Sequence, residues 1–327
     1  MGISGKKVLV TGAGGFIGSH LTEALFQGGA SVRAFTHYNA LGRWGWLDFS
    51  PIREEIDVVM GDIVDRDSIR SAMKDIDIVF HLAALIGIPY SYIAPSSYVQ
   101  TNIVGTLNIL QSALEEGVEC VIHTSTSEAY GSAQYVPIDE SHPLQGQSPY
   151  SATKIGADKL AESFYLSFDL PVVTIRPFNT YGPRQSARAV IPTVIIQALN
   201  DEEIRLGNLN PTRDMNYVLD TVRGFTAAAE NPAAIGQLIN LGTGIEISIG
   251  DLVKEILNLL GIQAKIKTEE QRLRPDASEV DRLCADNSKA KELLKWAPVY
   301  TLQDGLRETI NWITGNMDRY DPKRYMV

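Results

Sequence analysis

Residues 7–20 read Lys7-Val-Leu-Val-Thr11-Gly12-Ala-Gly-Gly15-Phe16-Ile17-Gly18-Ser-His20. Lys7–Thr11 has the pattern of a short buried parallel strand. Beyond the glycines, Leu21, Ala24 and Leu25 recur at helical spacing. Strand, glycine turn and helix together form the context of a dinucleotide-binding fingerprint. Small residues let the backbone approach a pyrophosphate, and the helix N-terminus offers N–H donors and a positive dipole end. The glycines are spaced three and three (Gly12, Gly15, Gly18) rather than Gly-x-Gly-x-x-Gly. Gly12, Gly15, Phe16, Ile17 and Gly18 are therefore the first cofactor-binding candidates. The fold this opening predicts is α/β: a Rossmann-type doubly wound parallel sheet with helices on both faces.

Downstream, the pattern repeats. Ala30–Thr36 is expected as the second strand. An acid at its end usually grips the adenosine ribose, but here Thr36-His37-Tyr38 follows. Thr36 is the ribose candidate, while His37 or Arg43 would suit a 2′-phosphate. NAD is favoured because no Arg or Lys immediately follows the strand, with NADP the alternative. Asp57–Met60 is expected as a third strand, and Asp62 and Ile63 after it as adenine contacts. Asp62 is alternatively a cap for a helix over Ser68–Met73, although Asp65 and Asp67 lie closer. Ile76–Leu82 is expected as a fourth strand. Small residues after it, in Leu82, Ala83 and Ala84, leave room for the nicotinamide half, and His81 is read as packed or hydrogen-bonded. Ile86–Ser97 is rich in turn residues and is expected as a loop, with Ile86 on a substrate pocket. Two long helices follow, Tyr98–Glu116 (interrupted by Asn102 and Asn108) and Ser151–Phe168. Both carry more apolar residues than one buried face needs, which predicts a homodimer through paired helices.

Between those helices lies the densest chemistry. Val121 and Ile122 end a buried strand, placing Thr124 to Glu128 past its carboxyl end, where open α/β sheets build their sites. Tyr150 and Lys154 are four apart and share a helix face. An ammonium beside a phenol favours the phenolate, which can take a proton from a sugar hydroxyl. Pro171–Pro177 reads as one more strand. Past Asn179 the strand–helix alternation breaks down, and Arg213 to Val218 reads as a polar-to-apolar joint. This predicts a dinucleotide-binding domain over 1–180 and a smaller substrate-binding lobe over 181–327, interleaved with returns to the sheet.

Composition narrows the partners. The chain has 327 residues, 44% hydrophobic, with a net charge of −10. That charge argues against a general nucleic-acid or acidic-membrane binder. Cys120 and Cys284 lie in no metal-ligand spacing, so no metal is expected and a reduced, cytoplasmic compartment is. No signal peptide or apolar span is apparent, so no membrane association is expected.

Taken together, Gly12-x-x-Gly15-x-x-Gly18, Thr126-Ser127-Glu128 and Tyr150-x-x-x-Lys154 resemble the extended short-chain dehydrogenase/reductases. Arg176-Pro177, Asn179-x-Tyr181-Gly182-Pro183, Arg213-Asp214 and Val218-x-Asp220 add to the match. The resemblance implies a tightly held nicotinamide cofactor, with Thr124, Tyr150 and Lys154 also at the cofactor, and a nucleoside diphosphate sugar in the C-terminal lobe. Within that family, Glu128 resembles the base of NAD-dependent nucleotide-sugar 4,6-dehydratases, which form 4-keto-6-deoxy sugars. Ser127, standing where some of those enzymes have aspartate, resembles the GDP-mannose dehydratase branch. His37-Tyr38-Asn39 and Trp44-Gly45-Trp46-Leu47-Asp48 resemble legionaminic-acid-pathway dehydratases, which act on N-acetylglucosamine nucleotides (GDP- or UDP-linked). The implied catalytic set is Thr126, Ser127, Glu128, Tyr150 and Lys154. Arg213 and Arg274 are the diphosphate candidates, since a guanidinium fork matches phosphate oxygens; Asn179 is a donor to phosphate or sugar. The rival expectations are a nucleotide-glucuronate decarboxylase, a 4-epimerase and a nucleotide-binding regulatory relative.

Overall fold

A computed structural model describes residues 2–201 and 203–320. Met1, Glu202 and residues 321–327, which fall within the two expected segments, lie outside them. The strands in chain order are β1 (Lys7–Thr11), β2 (Ser31–His37), β3 (Asp57–Gly61), β4 (Ile78–His81), β5 (Cys120–Thr124), β6 (Val172–Pro177), β7 (Asn179–Tyr181), β8 (Glu203–Leu206), β9 (Thr212–Tyr217), β10 (Leu238–Leu241), β11 (Glu246–Ser248), β12 (Lys265–Thr268) and β13 (Arg282–Leu283).

One seven-stranded sheet, all parallel, runs in the order β10-β6-β5-β4-β1-β2-β3. Alternate side chains of each strand face opposite sides. Val8 and Val10 of β1 join one buried cluster with Leu21 and Leu25 of the helix Phe16–Gln27 and with Phe225 of the helix Val218–Glu230. Leu9 points the other way, into a cluster with Ile69, Ile109 and Phe164. Burial on both faces explains why these strands read as unbroken apolar runs. A third cluster is built on Val194, Ile195, Leu252, Ile256 and Leu306 of the C-terminal part of the chain. There β7 and β13 pair parallel, and β11 antiparallel, with β9. Arg213 and its neighbours are thus a strand, not the expected joint: Thr212–Tyr217 exchanges backbone bonds on both sides.

Two helical expectations are corrected. Ile86–Ser97 contains helices at Ile88–Ile93 and Pro95–Tyr98 rather than plain loop. Pro89 and Pro95 sit in the first turns, where a fixed φ favours a helix and no N–H is needed. Tyr98–Glu116 is not continuous α-helix either. Val99–Val104 is a widened π turn before the helix Gly105–Glu116. Asn102 explains it: its side chain accepts from Leu85 N at 2.9 Å, and donates to Leu85 O and Thr153 Oγ1 at 3.0 Å each. Asn108 interrupts nothing; it sits in regular helix and donates to Ile63 O and Val64 O.

The segment after β2 ties the sheet to the lobe. Trp46 packs edge-on to Trp312 of the C-terminal helix, and Arg319 lies over Phe49. Trp46 N donates to Gly14 O at 2.9 Å, which brings this segment onto the glycine turn. Among the described residues no helix is long and apolar enough to cross a membrane.

Candidate active site

The strand order reverses between β1 and β4, each of which neighbours the other in the sheet. Ligands of open α/β sheets bind at this switch point. Here a cleft of about 980 Å³ opens at the carboxyl ends of the strands. Its wall includes Gly12, Gly15, Phe16, Ile17, Gly18, Thr36, Asp62, Ile63, Leu82, Ala83, Ala84, Thr124, Tyr150 and Lys154 of the cofactor candidates. It also includes Thr126, Ser127, Glu128, Ile86, Asn179 and Arg274. Arg213 lies just behind that wall, in the same charge cluster as Arg274 and Glu128. It is buried, its Nη1 donates to Thr212 O at 2.9 Å, and its Nη2 lies 3.7 Å from Glu279.

The glycine turn is fixed by space. Gly12 has φ +69°, and a Cβ there would stand 2.9 Å from Ala83 N across the switch point. A Cβ on Gly18 would stand 2.1 Å from Gly12 O, so the helix starts against the turn's own backbone. Asp62 does not cap the next helix. Its Oδ1 accepts from Val64 N at 2.9 Å, while Asp65 accepts from Asp67 N and Ser68 N. Thr36 Oγ1, Thr124 Oγ1, Asn179 Oδ1 and Gln185 Oε1 line the cleft as buried polar atoms without partners. Buried polar groups are normally satisfied; these four fit a polar ligand spanning the cleft, and the first two fit its dinucleotide half.

Tyr150 and Lys154 occupy one face of the helix Pro149–Phe168, which Pro149 and a Ser148–Ser151 capping box begin. Burial sets the environment of both groups. Lys154 Nζ donates to Thr124 O at 2.6 Å. Burial lowers its pKa to about 8, with the Asp158 charge working the other way. Burial also pushes the Tyr150 phenol above its ordinary range; a Thr126 hydrogen bond opposes this, and the charges of Glu128 and Asp158 add to it. For both groups loss of water is the largest cause. Thr126 stands between the two candidates: its side chain hydrogen-bonds Tyr150, and its Oγ1 accepts from the Glu128 backbone N–H at 3.3 Å. Glu128 is buried, and its Oε2 accepts from Arg274 Nη1 at 3.5 Å.

Behind the site lies a group that sequence reading passed over. Asp158 continues the Tyr150–Lys154 spacing one turn on, which was the available signal. Its Oδ1 is 3.0 Å from His123 Nε2, and its Oδ2 accepts from Ser125 Oγ and Arg176 Nη2 at 2.6 Å each. Burial acts to raise the Asp158 pKa, but the His123 bond and the charges of Arg176, His123 and Lys154 hold it well below the carboxylate range. His81, as expected, is hydrogen-bonded, to Thr11 and Thr106. Trp44, Gln185, Ser186 and Arg188 also line the cleft. Trp44 belongs to the Trp44–Asp48 stretch quoted above, while no motif marked Gln185, Ser186 or Arg188.

The profile of the GDP-mannose 4,6 dehydratase family matches residues 9–309. The chain belongs to this family. Membership in the GDP-mannose 4,6-dehydratase family agrees with the short-chain dehydrogenase/reductase resemblance. A dTDP-glucose 4,6-dehydratase of Actinoplanes sp. is 32% identical over 95% of this chain and 98% of its own. A UDP-glucose 4-epimerase of Mycolicibacterium smegmatis is also 32% identical, over 94% of this chain and 98% of its own. The crystal structure of DesIV, a dTDP-glucose 4,6-dehydratase from Streptomyces venezuelae with NAD and TYD bound, superposes with a TM-score of 0.90. It is 29% identical, over 97% of this chain and all (100%) of that one. The family thus holds more than one outcome for the same nucleotide-sugar chemistry.

Proposed function

We propose that this protein is a nucleotide-sugar 4,6-dehydratase that works through bound NAD. The observation that carries this reading is Glu128, a carboxylate on the cleft wall beside the Thr126–Tyr150 pair. An epimerase can return a hydride to carbon 4 without such a base; elimination needs a proton removed from carbon 5. Gly12, Gly15, Gly18 and Thr36 would hold the adenosine and pyrophosphate portions, and Ala83, Thr124 and Lys154 the nicotinamide portion. Bound NAD supplies a hydride acceptor that gives the hydride back, and a positive ring that favours a phenolate nearby.

The chain's own residues do the rest. Tyr150 takes the carbon-4 hydroxyl proton while Thr126 hydrogen-bonds the same oxygen. Lys154 supplies positive charge at the floor of the site. Once carbon 4 is a ketone, carbon 5 is acidic: Glu128 accepts its proton, the carbon-6 hydroxyl leaves with a proton as water, and the carbon 5–carbon 6 double bond then regains the hydride at carbon 6 and a proton at carbon 5. Ser127 lies beside Glu128, on the wall near that hydroxyl. Arg274 and Asn179 bind the diphosphate sugar, and Arg213 supports them from behind the wall. The same reading includes a homodimer along the helices Gly105–Glu116 and Pro149–Phe168, on which Leu114, Leu166 and Phe168 are exposed.

The test is incubation with UDP-, GDP- and dTDP-linked hexoses, N-acetylglucosamine nucleotides among them, and a UDP-linked glucuronate, followed by mass. Loss of one water is expected; carbon dioxide release or an unchanged mass would replace this reading with decarboxylation or epimerisation. Glu128→Gln should keep substrate binding and lose dehydration by about 10²–10⁴-fold. Undiminished turnover in that variant would refute the assigned base.

A further inference from the structure

The substrate side of the cleft holds a chain of loosely paired charges. Arg274 Nη1 lies 3.5 Å from Glu128 Oε2 and 3.8 Å from Glu279 Oε1. Arg213 Nη2 lies 3.7 Å from the same Glu279 oxygen. Other pairs of the molecule close to 2.6 Å, as Arg33–Asp57 and Lys6–Glu119 do, while the loose ones elsewhere, such as Arg53–Glu54 at 3.6 Å and Arg307–Asp304 at 3.5 Å, are between more exposed side chains. At 3.5–3.8 Å Coulomb attraction persists, but a charge-assisted hydrogen bond is at its outer limit. Arg274 is therefore shared between two carboxylates and gripped by neither. Its side chain is 25% exposed, so an incoming ligand reaches it. Among the described residues its bond is the one hydrogen bond made to the Glu128 carboxylate.

A diphosphate brings more negative charge than one carboxylate, and phosphate oxygens match the guanidinium fork in pairs. Such a ligand at Arg274 competes directly with Glu128. We infer that substrate binding transfers Arg274 from Glu128 to the diphosphate, so that filling the phosphate site frees the base. Glu279 is the positioning residue that keeps Arg274 and Arg213 side by side during the exchange. In the free protein the arginine offsets the carboxylate charge beside Tyr150; in the complex the same charge is turned to the ligand. Proton abstraction is thereby tied to a correctly seated nucleotide. This inference rests on the proposed dehydratase reading, with Arg274 as its phosphate contact.

The experiment is calorimetric binding of UDP, GDP and dTDP to the NAD-loaded full chain, carrying forward whichever binds most tightly. Glu128→Gln removes the competitor and should tighten binding by about three- to tenfold, the range of one partly exposed ion pair. Glu128→Asp, which draws the carboxylate back by one methylene, should shift affinity in the same direction by less. Arg274→Ala should weaken binding, and adding Glu128→Gln to it should then change nothing. A merely structural Glu128 would not yield tighter binding. Unchanged or weaker binding in both Glu128 variants overturns the transfer, as do additive effects in the double variant. If Arg274→Ala weakens binding while the Glu128 variants do nothing, only the transfer falls. If Arg274→Ala leaves affinity intact, the phosphate contact falls with it.

Discussion

The two halves of the cleft are built from different materials. The dinucleotide half is backbone and small side chains: a turn over 12–18, the ends of β1 and β4, and buried hydroxyls at Thr36 and Thr124. The substrate half is charged side chains brought together from far apart, with Glu128 and Arg274 separated by 146 positions. Backbone geometry fixes the first half before any ligand arrives. Long, loosely paired side chains leave the second half able to rearrange. A fixed cofactor can thus be combined with different substrate chemistry, and the family holds both dehydratases and epimerases.

Three changes would break or sharpen this contrast. The largest effect is expected at the seam between the halves. Tyr150→Phe should lower turnover by about a thousandfold while leaving NAD and nucleotide binding intact; comparable losses in binding would mean that Tyr150 is structural. Next comes Asp158→Asn, behind the seam, which leaves the buried Arg176 without its counter-charge. Unfolding stability should drop by about 3 kcal/mol in denaturant titration at neutral pH. The sign of its pH dependence follows from the depressed Asp158 pKa. The stabilisation is full above the unfolded carboxylate value of about 4 and is lost as pH falls through the lower folded value. The gap between wild type and variant should therefore close on acidification, and a gap that widens would remove Asp158 from the account. The smallest change tests separability. Gly18→Ala forces a Cβ toward Gly12 O and should cost about 1–3 kcal/mol. It should weaken NAD binding and spare UDP, GDP or dTDP binding; equal loss of both would mean that the halves are not independent.

The same contrast explains what the sequence disclosed. The β1 strand, its glycines and the Tyr150–Lys154 helix are contiguous patterns whose spacing carries their meaning, and they stand where expected. Val99–Val104 could not be read that way. Its widened turn depends on Asn102 finding Leu85 and Thr153, partners set by tertiary packing. Arg213 was a diphosphate candidate because a guanidinium fork matches phosphate oxygens, and nothing in the sequence showed its burial. Only the pairing of β9 with β7, β11 and β13 shows it enclosed. Helical spacing likewise places Tyr150 and Lys154 on one face but says nothing of Thr124 O, the carbonyl to which Lys154 donates.

The place of β10 has a consequence for how the chain must be made. Residues 238–241 complete the main sheet beside β6, although the lobe has already begun before them. A ribosome that has released only the first 180 residues exposes the bare edge of β6, an apolar strand with unpaired backbone groups. Cutting the chain there would yield a sticky fragment rather than a free-standing cofactor module, and evolutionary exchange of the lobe must carry this strand along with it.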